Sequence, residues 1–363
     1  MTLILLVIFI ALVFTYINGF HDTANSIATV VATKVLTPRQ AVMLAAFTNL
    51  VGAFFGTAVA TTIASGLVDA QVATMPVLCC ALSAAIVWSL LTWWFGLPSS
   101  SSHALVGGLC GSVLAASGNR WSSIIWSIPG KDHWWQGKGI LWKVIVPMIS
   151  SPLLGFVVGF FVMGLLYFLL RNWRPVTVNR TFGKLQLFSA GYMGFAHGTN
   201  DAQKTMGIIA LALVAGTGSG RFENLPEFLT FLKTPAPTAG QPLQIATWIK
   251  ILCALTMCAG TAVGGWRIIK TLGHKMVKLH PVHGFAAEAT GASVLFVAAH
   301  FGMPVSTTHA ITTSIMGVGC AKRLNALKMG VVERILWAWV MTLPASAVVA
   351  YALVKIIRSL GWL

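Results

Sequence analysis

Long apolar runs, parted by short basic or polar stretches, fill the chain from end to end. A bilayer-spanning helix needs about 20 mostly apolar residues. On that measure ten apolar segments are predicted, at 2–33, 41–63, 74–95, 98–116, 140–170, 187–216, 245–271, 284–301, 304–320 and 331–357. Some are too short to cross alone and others carry polar breaks, which predicts broken helices and re-entrant hairpins. Stretches 117–139, with Trp134 and Trp135, and 217–244, rich in Gly, Thr and Pro, lack the apolar period of a separate domain and read as surface loops. The first run has no basic leader and no small-residue cleavage site, so it reads as a retained helix. The fold class expected is an all-α polytopic membrane protein.

The pattern repeats within the chain. Gly96-Leu97-Pro98-Ser99-Ser100-Ser101-Ser102-His103-Ala104 returns as Gly302-Met303-Pro304-Val305-Ser306-Thr307-Thr308-His309-Ala310, 206 residues later. Thr48 through Gly56 returns as Thr256 through Gly264, with both glycine pairs aligned at an offset of 208. Asp22, followed by Asn25, returns as Asp201, followed by Lys204, at an offset of 179. The smaller offset is accounted for by the 217–244 loop, which lies between the second aspartate and the later motifs. A single Ser/Thr-rich match arises readily by chance, but three in one order indicate duplication. The halves are then 1–170 and 187–363, joined by a basic cytoplasmic linker at 171–186. Each half holds five segments, and an odd number inserts the second half upside down relative to the first, the inverted-repeat plan of many secondary transporters.

Composition agrees and narrows the choice. Of 363 residues, 56% are hydrophobic and 9% charged, with a mean hydropathy of +0.81. Soluble domains carry about 25% charged residues, so this surface is matched to lipid. The net charge of +16 does not point to nucleic acid, because the basic residues sit in short loops between apolar runs. If every segment crosses, 14 Lys and Arg lie on one side and 9 on the other, with Lys204 set aside as intramembrane. The positive-inside rule then places both termini outside. The six cysteines lie in or beside apolar segments without metal-ligand spacing, and the sequence calls for no cofactor, metal or disulfide framework.

The repeated P-x-S-[ST]-[ST]-H-A elements read as helix N-termini, with a proline preset for the first turn and hydroxyls around it. Unpaired backbone N–H groups and a partial positive charge there bind oxyanions, and added hydroxyls supply more donors. Capping needs one Ser or Thr per helix end. The runs Ser100-Ser101-Ser102 and Ser306-Thr307-Thr308 exceed that need and point to an anion site between opposed halves. His103 and His309, closing each element, are expected to brace the hairpins.

Asp22, Asp201 and Glu288 lie well inside apolar segments, where a carboxylate costs about 2.5–3.5 kcal/mol and defaults to a functional hypothesis. Asp22 lies in Asn18-Gly19-Phe20-His21-Asp22-Thr23-Ala24-Asn25 and Asp201 in His197-Gly198-Thr199-Asn200-Asp201-Ala202-Gln203-Lys204. Their glycines and amides suggest unwound backbone suited to a cation. A structural ion pair of Asp201 with Lys204, one turn apart, is the alternative. Asp22 has no such basic neighbour. Glu288 stands alone, with Leu82 at the repeat-related position. It is a candidate proton carrier or, equally, a packing hydrogen-bond acceptor.

The two Gly-x-x-Asp elements and the two P-x-S-[ST]-[ST]-H-A elements resemble the duplicated signatures of the PiT inorganic phosphate transporters, from Asn18 to the last segment. The resemblance implies an inverted-repeat, usually dimeric carrier in the lipid bilayer, moving inorganic phosphate with a coupling cation. Carried over by position, Asp22, Asn25, Asn200 and Asp201 match the coupling-ion elements, and Asn200 is assigned to substrate as well; Lys204 and Glu288 are added to the coupling set on their own intramembrane charge, not by the resemblance. Ser100, Ser101, Ser102, Ser306, Thr307 and Thr308 fall to substrate binding. The sodium-coupled pattern has Ala-Asn after the second aspartate, where this chain has Gln203-Lys204. That form resembles the bacterial low-affinity, proton-coupled branch, of the cytoplasmic membrane. A sulfate or related oxyanion permease and a sodium-coupled phosphate symporter are the alternatives within transport. Whether the cargo is free anion or a metal–phosphate complex stays open. A membrane-embedded enzyme using Ser101 or His103 is disfavoured, since two symmetric copies suit alternating access. No G-x-x-x-x-G-K-[ST] element occurs, which excludes ATP-driven transport by this chain alone.

Overall fold

A computed structural model describes residues 2–130, 133, 136–223, 225–235, 243–321, 323 and 326–361. The first apolar run forms one helix, α1 (Thr2–Ala32). Thr37 then caps α2 (Pro38–Gly52) through a capping box with Gln40, and Pro38 occupies the first turn. A break follows before α3 (Ala58–Ser65), and α4 (Met75–Trp94) and α5 (Ser101–Ala116) complete this stretch. A π-helical turn, Leu141–Ile145, leads into α6 (Val146–Leu169). The long α7 (Pro175–Gly218) is followed by α8 (Thr247–Val263), α9 (Trp266–Lys270), α10 (Pro281–His300), α11 (Thr307–Cys320) and α12 (Met329–Ser359). No strand occurs among the described residues, where β pairing is confined to two isolated bridges.

The polytopic, all-helical class holds, but the segments differ from the ten expected. Five helices among the described residues are long and apolar enough to cross: α1, α4, Leu141–Leu169, α10 and α12. A sixth is the α8–α9 pair, bent by 57° at its break. The expected segment 41–63 is likewise interrupted, between α2 and α3. With 16 and 14 residues, α5 and α11 reach about 24 and 21 Å at 1.5 Å per residue. Each falls short of a core about 30 Å thick, and both N-termini lie buried inside the protein.

Three other expectations are corrected. Residues 171–186 do not stand apart from the second half, because from Pro175 onward they form the first turns of α7. The stretch 217–244 is more than a surface loop: Phe222, Leu232 and Leu243 are buried, and Glu227–Leu232 forms a 3-10 turn. In 117–139, Ile124 is buried and bridged to Val68; Trp134 and Trp135 lie outside the described residues. Sparse apolar residues sufficed to fold both stretches back, which periodicity does not reveal.

Repeat-related positions share backbone geometry. Gly96 and Gly302, one before each short helix, have φ of 64° and 63°, and Gly56 and Gly264, at the two helix breaks, have 81° and 78°. Glycine takes these values without the steric cost that a side chain meets there. Small residues also bring helices together where lipid gives no hydrophobic drive. A side chain at Gly111 of α5 would meet the Ala347 carbonyl of α12, and one at Gly317 of α11 the Phe156 carbonyl of α6. Gln203 supports the break before α3. Its Oε1 accepts from the N–H groups of Val59 (2.9 Å) and Ala60 (3.3 Å), and its Nε2 donates to the Phe55 carbonyl at 3.2 Å.

Candidate functional site

The first turns of α5 and α11 meet the middles of α1 and α7 in the interior. Ser100 and Ser306 are the N-caps, accepting from the backbone N–H of His103 (3.2 Å) and His309 (3.1 Å). Pro98 and Pro304 stand outside the helices, not in the first turn as expected. They restrict the chain entering the cap instead. Ser102 straps the two elements together, donating to the Val305 carbonyl at 2.9 Å.

The remaining hydroxyls face the aspartates. Ser101 donates to Asp22 Oδ2 at 2.8 Å and Thr308 to Asp22 Oδ1 at 3.3 Å. Asn25 Nδ2 donates to Thr307 (3.2 Å) and Thr308 (2.9 Å), while its Oδ1 is buried without a partner among the described residues. Lys204 Nζ pairs with Asp201 Oδ1 at 2.7 Å and reaches Ser101 Oγ at 3.4 Å. One continuous network thus runs Asp22–Ser101–Lys204–Asp201, all of it buried. One atom from each of Asp22, His197 and Asp201 lies within 4.8 Å of the others. That spacing would gather a cation, and the Lys204 ammonium supplies a positive charge beside it.

The unwound backbone expected around Asp22 and Asp201 is absent: α1 and α7 run through both elements unbroken. Side chains satisfy the carboxylates, Ser101 and Thr308 of other helices for Asp22, and Lys204 and His197 of α7 itself with Asn18 of α1 for Asp201, so the helical ladder need not open. Gly19 and Gly198 serve close packing, against the Met257 carbonyl with Gly260 and against Asn49 respectively.

Two predicted residues stand apart from the network. Asn200 is buried with both amide atoms unpartnered among the described residues. Glu288 accepts from Thr29 Oγ1 at 2.5 Å, from Gln186 Nε2 at 3.0 Å and from Ser189 Oγ. His103 and His309 touch edge to face, with ring centroids 4.9 Å apart, and His309 stacks on Trp339 at 3.9 Å. Trp339 in turn donates to the Pro98 carbonyl at 3.0 Å.

Sequence reasoning missed His21, 2.9 Å from Asp22 Oδ1, and His197, 3.4 Å from Asp201 Oδ2. It also missed Asn18, which donates to Asp201 Oδ2 at 3.3 Å. The repeat offset held a signal, since it pairs Asn18 with His197 and His21 with Asn200, polar with polar throughout.

The family model described as "Phosphate transporter family" matches residues 18–350. A Bacillus subtilis (strain 168) protein described as "Probable low-affinity inorganic phosphate transporter" is 41% identical over 360 residues, 98% of each chain. A Rhizobium meliloti (strain 1021) protein of the same description is 42% identical over 342 residues, covering 94% of this chain and 92% of that one. Among solved structures, one titled "The sodium-dependent phosphate transporter" superposes with a TM-score of 0.80 at 22% identity, covering 99% of this chain and 100% of its own.

Proposed function

Because the chain belongs to the phosphate transporter family, we propose that it is a secondary transporter importing inorganic phosphate by proton symport. It is a multi-pass membrane protein and not an enzyme. The reading extends to a bacterial cytoplasmic membrane, both termini outside, two inverted repeats and a homodimer. The anion sits between the N-termini of α5 and α11, whose N–H groups and partial charge attract it. Ser101, Thr307 and Thr308 turn their hydroxyls from Asp22 and Asn25 to the substrate.

The observation that carries the reading is the bond from Ser101 Oγ to Asp22 Oδ2, with Lys204 on the far side of the same hydroxyl. It puts an acceptor carboxylate beside the anion donors. Phosphate at neutral pH still holds a proton to donate, whereas sulfate holds none, so this site favours phosphate. Lys204 stands where the repeat would put a second Asn25. An ammonium has donors only and cannot ligate sodium, which supports a proton as the coupling ion.

Binding of labelled phosphate to purified protein, with sulfate as competitor, tests the substrate assignment. Ser101→Ala removes a donor to a charged group, a loss of about 1.5–3 kcal/mol, or about tenfold or more in affinity, with membrane expression unchanged. Thr307→Ala should act the same way. Sulfate competing as well as phosphate, or parental phosphate affinity in both variants, contradicts the assignment.

A further inference from the structure

Between Asp22 and Glu288 lie buried hydroxyls that the proposed substrate site does not use. Along α1, Asp22, Ser26 and Thr29 follow at intervals of four and three, which sets them in a row on one helix face, and Thr33 follows four residues on, just past the helix end. Thr29 donates to Glu288, and Thr33 donates at 2.9 Å to Gln186, itself bonded to Glu288. Ser26, midway, is wholly buried and its Oγ has no partner among the described residues. On α11, Thr312 follows Thr308 by one turn, and its hydroxyl is likewise buried and unpartnered. The three helices α1, α10 and α11 pack against one another. Buried hydroxyls without partners are uncommon, and here two fall in the interval separating two carboxylates.

The repeat supplies the contrast. Positions related to Thr29, Glu288 and Thr312 are Ile208, Leu82 and Val106, all buried and apolar. Gln186 and Ser189 correspond to Val7 and Ile10. Ser26 corresponds to Thr205, but Thr15 already donates to that hydroxyl at 2.6 Å. One half of the molecule is polar from the central cluster outward, and its counterpart is sealed.

We propose that this row is a proton path joining Asp22 to Glu288, and so to one side of the membrane. The inference rests on the proton-coupled reading. Hydroxyls both donate and accept, so each can pass a proton while taking another. A proton leaves the Asp22 carboxyl for Ser26 or Thr312. Thr29 receives one and releases its own to Glu288, which becomes a neutral carboxyl. Asp22 is left a carboxylate, and charge and atoms balance; the reverse direction uses the same steps. Hydroxyls one helical turn apart, about 5–6 Å between their Cβ atoms, are spanned by one water. The partners of Glu288 on α1 and α7 carry no charge, so they hold either protonation state.

The test uses the full chain in proteoliposomes, comparing phosphate–phosphate exchange with acidification of the lumen under an inward proton gradient. Exchange carries no net proton. The double variant Ser26→Ala/Thr312→Val should exchange as the parent does but acidify at least about tenfold more slowly, a barrier increase of about 1.4 kcal/mol. Ser26→Thr, which keeps the hydroxyl, should restore acidification in the Ser26 position, and Thr205→Val, from the sealed half, should leave it unchanged. Parental acidification by the double variant overturns the path. Loss of exchange in that variant also overturns it, because the hydroxyls then serve the site or the fold. A parent that imports phosphate without acidifying the lumen removes the coupling reading and the path together, whereas a coupled parent with equally coupled variants removes the path alone.

Discussion

Lys204→Asn is expected to abolish proton-driven phosphate accumulation and to make the protein respond to sodium. The ammonium is wholly buried and 2.7 Å from Asp201 Oδ1. Removing one partner of a buried pair leaves the other charge uncompensated, at a loss of about 3–5 kcal/mol. The variant should therefore melt at a lower temperature than the parent. An asparagine there reproduces the amide of Asn25, whose Oδ1 is buried and free to accept. Sodium should then bind beside Asp201 and raise the melting temperature of the variant but not that of the parent. A purely structural ion pair predicts the same loss of stability with proton-driven uptake intact. That outcome, in folded protein, would remove the built-in-cation account.

Glu288→Gln is the second large effect expected. Three donors hold the carboxylate, from Thr29, Gln186 and Ser189. Glutamine keeps the shape and can still accept through its amide oxygen, but it cannot cycle a proton. Accumulation against a gradient should disappear, while phosphate binding and exchange persist. The packing alternative, in which Glu288 only joins α10 to α1 and α7, predicts normal accumulation once the variant is folded. Leu82 at the repeat-related position shows that the fold itself does not demand a carboxylate here.

How far such arguments reach from sequence alone depends on which interactions are local. The hairpin ends were legible, because capping by Ser100 and Ser306 is decided within four residues of chain. The matched positive φ of Gly96 and Gly302 follows from the same local repeat. Continuity of α1 and α7 was not legible. Whether a buried aspartate breaks its helix depends on partners such as Ser101 and Thr308, distant in sequence and unmarked by type. The surroundings of Glu288 were hidden for the same reason, since Thr29, Gln186 and Ser189 look ordinary until they converge. Segment boundaries were missed where hydropathy and helicity part company. The 44 residues of α7 begin in a basic stretch that reads as a linker, yet Pro175 starts a helix there and nothing stops it.

The central claim, phosphate import driven by protons, meets its most direct test in the parent protein reconstituted into vesicles. Labelled phosphate uptake is followed under an inward proton gradient in sodium-free buffer, and separately under an inward sodium gradient at equal pH inside and out. The account predicts accumulation with the proton gradient alone and little from sodium. Accumulation that requires sodium, with none driven by the proton gradient, would contradict it.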